Sequence, residues 1–144
     1  MDSQGVVLDT DVFSAIYVTP REVVVRQGHP WDAWILLLSG KRTVISFQTR
    51  AEILSGAFSA GWGDRRLGAI RERLDATPTI DVDRDVAEAF ARLSAESRKV
   101  GHALASKVHT ADRWIAASAI AKGLPLLARD GIYAGAPGLE LVTA

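Results

Sequence analysis

Gly5-Val6-Val7-Leu8-Asp9-Thr10-Asp11-Val12-Phe13-Ser14-Ala15-Ile16-Tyr17 is the stretch on which the architecture turns. A short β-branched run, Gly5 to Leu8, enters Asp9-Thr10-Asp11, after which Val12, Phe13, Ile16 and Tyr17 recur at helical spacing. The order is strand, turn, helix, with a carboxylate at the turn. Further along, Thr43 to Phe47 is a second β-branched strand, followed by a helix from about Thr49 to Ala60 in which Ile53, Ala57 and Ala60 share a face. Between these units Val23 to Val25 extends as a strand between Pro20 and Pro30, and Trp31 to Leu38 reads as an apolar helix closed by Gly40.

Beyond the breaker Gly61-Trp62-Gly63, Asp64 is placed to cap a helix striped by Leu67, Ile70 and Leu74. Thr79 to Val82 reads as a short strand. Asp83 is placed to cap a long helix striped by Val86, Phe90, Leu93 and Val100, which Gly101 interrupts. A last helix, from about Thr110 to Lys122, ends at Gly123 and leads into the apolar strand Leu124 to Ala128, and Leu139 to Val142 adds an edge strand. Strands alternating with helices predict a single three-layer α/β domain over residues 1–144, with a central, mostly parallel sheet flanked by helices.

Composition narrows the function. The chain has 144 residues, 48% of them hydrophobic, enough for one domain with its own core. Seventeen Lys and Arg balance seventeen Asp and Glu, so a polyanion would have to be met by a local patch. The absence of cysteine excludes disulfides, thiolate zinc sites and cysteine nucleophiles. Apolar runs such as Ala33 to Leu38 and Trp114 to Ala121 fall short of the roughly 18 residues of a membrane helix, and no secretory signal is legible in Met1 to Gly5. A cytoplasmic location is the expectation.

Parallel sheets bind ligands beyond the carboxyl ends of their strands. Asp9 ends the first strand, Glu52 lies one helical turn past the second, and Asp130 follows the strand Leu124 to Ala128. Asp112 sits in the first turn of a helix for which Thr110 is available as N-cap. Taken singly each acid has a plain alternative: a cap for Asp11 or Asp112, a solvated helix position for Glu52, a turn for Asp130-Gly131. Gathered together they repel, and a hard divalent cation, Mg²⁺ or Mn²⁺, is the counter-charge that keeps them ionised. A metal so held activates water against a phosphodiester without help from cysteine, serine or histidine.

Four segments resemble the PIN-domain family, and more narrowly the VapC-type toxins of bacterial toxin–antitoxin modules. They are Val7-Leu8-Asp9-Thr10-Asp11-Val12-Phe13-Ser14, Ile45-Ser46-Phe47-Gln48-Thr49-Arg50-Ala51-Glu52-Ile53, Ala111-Asp112-Arg113-Trp114-Ile115-Ala116-Ala117, and Leu126-Leu127-Ala128-Arg129-Asp130. The resemblance implies a Mg²⁺- or Mn²⁺-dependent endoribonuclease in which Asp9, Glu52, Asp112 and Asp130 form the acidic site, with Asp9 and Asp112 as the direct metal ligands. It also implies structured RNA such as tRNA or rRNA as substrate, a homodimer, and a cognate VapB-type antitoxin. Ala128 stands where the family often has a hydroxyl residue, and Asp11 where Asn is also common, placing Thr10 and Asp11 as supporting residues. Arg50, Arg113 and Arg129 lie beside the acids and could grip an RNA backbone.

Other features bear on partners. Arg65, Arg66, Arg71 and Arg73 flank the stripe of Leu67, Ile70 and Leu74, either as a phosphate-facing surface or as a solvated helix face. Trp62 either stacks on a base or anchors its loop; Trp31, Trp34 and Ile35 either line an antitoxin groove or pack the core. His29, His102 and His109 meet no helical metal spacing and read as structural or solvent-facing. Two rivals carry weight. Val6-Val7-Leu8-Asp9-Thr10-Asp11-Val12 also fits a haloacid-dehalogenase-like phosphatase, with Asp9 as nucleophile and Asp11 as acid/base. An inert module that binds RNA or antitoxin without cleavage is the other.

Overall fold

The computed structural model describes residues 4–142, so Met1 to Ser3 at the start of the segment searched for a secretory signal lie outside the described residues. Five parallel strands form one sheet in the order β3-β2-β1-β4-β5: β1 is Gly5–Leu8, β2 Arg42–Ser46, β3 Thr79–Ile80, β4 Leu126–Leu127 and β5 Leu141–Val142. Leu8 of β1 pairs with Ile45 of β2 on one side and with Leu127 of β4 on the other, so three strands end level at one edge. The chain steps outward through β2 and β3, then returns to the far side of β1 for β4 and β5. The crevice at the carboxyl ends of β1 and β4 is therefore the topological switch point, where ligands of such sheets bind.

Alternation along β1 divides the core. Val6 and Leu8 face a layer containing Val12 and Phe13 of α1 (Thr10–Tyr17), Val24 of α2 (Arg21–Arg26), Trp34 of α3 (Trp31–Leu38), Ile53 of α4 (Phe47–Ser59) and Leu74 of α5 (Asp64–Asp75). Val7 faces the opposite layer, with Val86 and Leu93 of α6 (Arg84–Val100) and Ile115 of α7 (Thr110–Ala121). Both faces are covered, which is why β1 and β4 are apolar throughout. Asp83 caps α6 by accepting from the Val86 amide, as expected, and Gly101 closes that helix at φ 72°. Gly123, at φ 64°, ends α7 in the same way.

Several boundaries differ from the sequence expectation. Val23 to Val25 form not a strand but the middle of α2, of which only Val24 is buried. Packing of that one side chain against the α1 layer overrides β-branched propensity. Asp64 is the first helical residue of α5, with Gly63 in the cap position. Helix α4 begins at Phe47 because the Ser46 hydroxyl accepts from the Gln48 amide, which ends β2 earlier. The expected strands at 79–82, 124–128 and 139–142 shorten to two residues each. Trp34 belongs to the core. Among the described residues no helix is long and apolar enough to cross a membrane.

Candidate active site

The first carboxylate is also a helix cap. Asp9 leaves β1, its own amide donates to the Leu127 carbonyl at 3.1 Å, and its Oδ1 accepts the Val12 amide at 2.8 Å to start α1. Only 4% of Asp9 is exposed. Burial, reinforced by the negative charges of Asp11 and Asp112, pushes its carboxyl up to about 7 against the pull of the Val12 and Arg129 amides.

Glu52 is brought in by the first turns of α4. Its Oε2 accepts from the Thr10 hydroxyl at 3.2 Å and from Gln48 Nε2 at 3.3 Å, and Thr10 Oγ1 lies 3.1 Å from Thr49 Oγ1. Thr10, expected as a supporting residue, thus ties the start of α1 to α4. Burial raises the Glu52 carboxyl, the two hydrogen bonds oppose it, and the charges of Asp112 and Asp11 raise it further.

Asp112 comes from the opposite layer, on the first turn of α7, and both its oxygens are held. The Tyr133 hydroxyl donates to Oδ1 at 3.2 Å, and His109 Nδ1 meets Oδ2 at 3.1 Å. Tyr133 is 1% exposed; burial and the surrounding charges of Asp112, Asp9 and Glu52 all push its hydroxyl upward, so it remains a donor.

The remaining expected residues divide. Asp11 lies at the rim, its Oδ2 3.5 Å from Arg129 Nε, with both side chains about half exposed. They line an open cavity of about 470 Å³ with Ser14, Gln27 and His29. Asp130 is exposed and caps a 3₁₀ turn, Gly131–Tyr133, by accepting the Ile132 amide at 3.0 Å. The charges that raise Asp9 are those of Asp11 and Asp112. Thr110 is not the N-cap of α7: His109 takes that position, Thr110 is the first helical residue, and its hydroxyl donates to the Lys107 carbonyl at 2.7 Å. Arg113, expected at an RNA surface, is turned inward instead. It is 9% exposed, donates through Nη1 to the carbonyls of Leu104 and Ser106, and lies over the Phe90 ring. Its place one residue after Asp112 on a helix directs it toward α6 rather than the crevice. Arg50 forms an ion pair with Asp75.

His109 and Tyr133 are the members that sequence reasoning missed. His109 precedes Asp112 by three residues, a helical-neighbour spacing that a search for histidine pairs passes over. Tyr133 lies 21 residues beyond Asp112, and nothing local marks it.

A divalent cation can be tested against this donor set. Among the described residues no three acidic or histidine side chains come close enough to hold a metal ion by themselves. Mg²⁺ needs fewer: it keeps several waters and binds through one or two carboxylates. Asp9, buried at the end of β1, and Asp112, with both oxygens hydrogen-bonded, are carboxylates of the kind such an ion takes.

The PIN-domain family model matches residues 6–138. The chain belongs to the PIN-domain family. It is 29% identical over 146 residues to the ribonuclease VapC4 of Mycobacterium tuberculosis, covering 99% of each chain. To the ribonuclease VapC5 of the same organism it is 30% identical over 142 residues, covering 94% of this chain and 93% of the other. A crystal structure of VapBC-5, a member of the VapBC toxin–antitoxin family from M. tuberculosis, superposes with a TM-score of 0.63 at 27% identity, covering 97% of this chain and 98% of the other. The haloacid-dehalogenase-like alternative loses its footing here: the PIN match spans nearly the whole chain, and Asp11, its acid/base, is paired with Arg129.

Proposed function

We propose that this chain is the toxin of a VapBC-type module, an endoribonuclease that uses Mg²⁺ or Mn²⁺ to hydrolyse phosphodiester bonds of structured RNA such as tRNA or rRNA. The observation that carries the reading is the near-complete burial of Asp9 at the switch point of the sheet, in a chain similar end to end to two ribonucleases. Asp9 and Asp112 would hold the cation directly, with Glu52 and Asp130 reached through water. When bound, such a cation supplies the charge that makes water a nucleophile and stabilises the leaving oxygen.

The side chains of this chain do the rest. Asp9 is fixed by the Val12 amide through Oδ1 and feels the Arg129 amide as well. His109 and Tyr133 hold the Asp112 carboxylate against rotation. Thr10 and Gln48 both hold Glu52 Oε2, leaving Oε1 to bind and orient a water. A VapB-type antitoxin as partner belongs to the same reading, supported by the likeness to VapBC-5; a homodimer is the assembly that the family resemblance implies.

Purified protein incubated with total RNA in Mg²⁺ or in EDTA, alongside Asp9→Asn, tests the proposal. Cleavage by the wild type that both EDTA and the substitution abolish is the expected result. RNA that is bound but left intact in Mg²⁺ would replace the enzyme with the inert binding module.

A further inference from the structure

The arginines of α5 form an exposed helix face that is not laced with ion pairs. Among the described residues none of Arg65, Arg66, Arg71 and Arg73 forms a salt bridge, although Asp64, Glu72 and Asp75 share the helix. Three of the four lie over aromatic rings instead: Arg66 3.7 Å from the Trp62 ring centre, Arg73 4.6 Å from Tyr17, Arg71 5.7 Å from Phe58. A guanidinium stacked on a ring keeps its in-plane N–H fork free, which is the arrangement that grips phosphate oxygens in pairs. Between Arg66 and Arg73 opens a cavity of about 300 Å³ walled by Tyr17, Trp62 and Ile70. Guanidinium edges and the outer planes of ring-backed guanidinium groups are thus presented together; phosphates pair with such edges and unpaired bases stack on such planes.

The position of α5 gives this face its place in the fold. Its 12 residues span about 18 Å. The Arg50–Asp75 pair fastens its carboxyl end to the turn of α4 that carries Glu52. The face lies beside the Tyr17 end of α1, whose hydroxyl is 3.5 Å from Thr43 Oγ1 in β2, and so stands apart from the acidic crevice at the carboxyl ends of the strands.

We propose that the Arg66–Trp62 and Arg73–Tyr17 pairs of α5 form an RNA-holding surface apart from the acidic site, gripping the phosphates of an unpaired stretch of the substrate and stacking a base between them. The inference rests on the ribonuclease reading and adds a second place of contact to it.

The test uses a mixed tRNA pool as probe and the Asp9→Asn protein as background, so that binding is measured without cleavage. Arg66→Ala combined with Arg73→Ala should weaken tRNA binding by about tenfold or more at 0.1 M salt. It should also flatten the plot of log affinity against log salt by about 1.4, for two lost single-strand phosphate contacts. With Asp9 restored, the same pair should raise KM for tRNA and leave kcat unchanged. Arg92→Ala, which removes an exposed partner of Glu88 on α6, should change neither quantity. Melting curves check that the variants fold, and Trp62→Leu, which removes the stacking ring and leaves every charge in place, should weaken binding with little change in salt slope. Unchanged tRNA affinity and slope in an enzyme that cleaves RNA would overturn this surface while sparing the ribonuclease reading. Loss of dimer mass with RNA affinity intact would overturn it in favour of a protein contact. A wild type that neither binds nor cleaves RNA would overturn both.

Discussion

Asp9 and Asp130 occupy matching places, each past the carboxyl end of a parallel strand and each capping the element that follows. The hydrogen bonds are alike, Val12 to Asp9 at 2.8 Å and Ile132 to Asp130 at 3.0 Å. Their surroundings are not. Asp9 is buried at the middle of the sheet, where it caps α1 and feels Asp11 and Asp112, whereas Asp130 is open to water. A strand end delivers a carboxylate to the crevice; only burial among like charges changes what that carboxylate can do.

The comparison breaks most sharply on activity. Asp9→Asn should lower RNA cleavage by about a thousandfold or more, while Asp130→Asn should lower it by less than about tenfold, as initial rates on one RNA substrate will show. Equal losses would mean that burial does not distinguish the two.

Stability offers a second contrast, of opposite sign. The folded carboxyl of Asp9 sits at about 7, above its ordinary value, so its contribution to the cation-free fold is full below pH 4 and is lost as pH rises through 7. The full loss is on the order of 4 kcal/mol. Urea unfolding in EDTA should therefore find the wild type less stable at pH 8 than at pH 5 by an amount that Asp9→Asn removes. Asp130→Asn should leave that difference in place.

Smaller effects sharpen the account of Asp112. Tyr133→Phe keeps the buried ring and deletes one donor to the carboxylate, so it should cost about 1 kcal/mol of stability and about tenfold in cleavage. The smallest effect falls on Asp130→Ala, which deletes a cap from one 3₁₀ turn and should cost about 0.5–1 kcal/mol by thermal melting.

Much of this was legible along the chain because periodic burial leaves a periodic sequence. Val6 to Leu8, the stripe of Val86 and Leu93, the Asp83 cap and Gly123 all follow from local rules. Val23 to Val25 defeated them because a single buried contact, at Val24, decides the helix. In the site, Asp9, Glu52 and Asp112 could be anticipated from strand ends and a helix start. What holds them could not. Tyr133 reaches Asp112 only through tertiary packing, and Arg113 turns inward because Leu104 and Ser106 offer carbonyls that no spacing announces.

The central claim is that Asp9 and Asp112 bind one divalent cation between them. Calorimetric titration of the protein with Mn²⁺ at pH 7, repeated in buffers of different ionisation enthalpy, addresses it most directly. The account predicts saturable binding that releases about half a proton as Asp9 ionises, and that is lost in both Asp9→Asn and Asp112→Asn. Binding of undiminished affinity in either variant would contradict it.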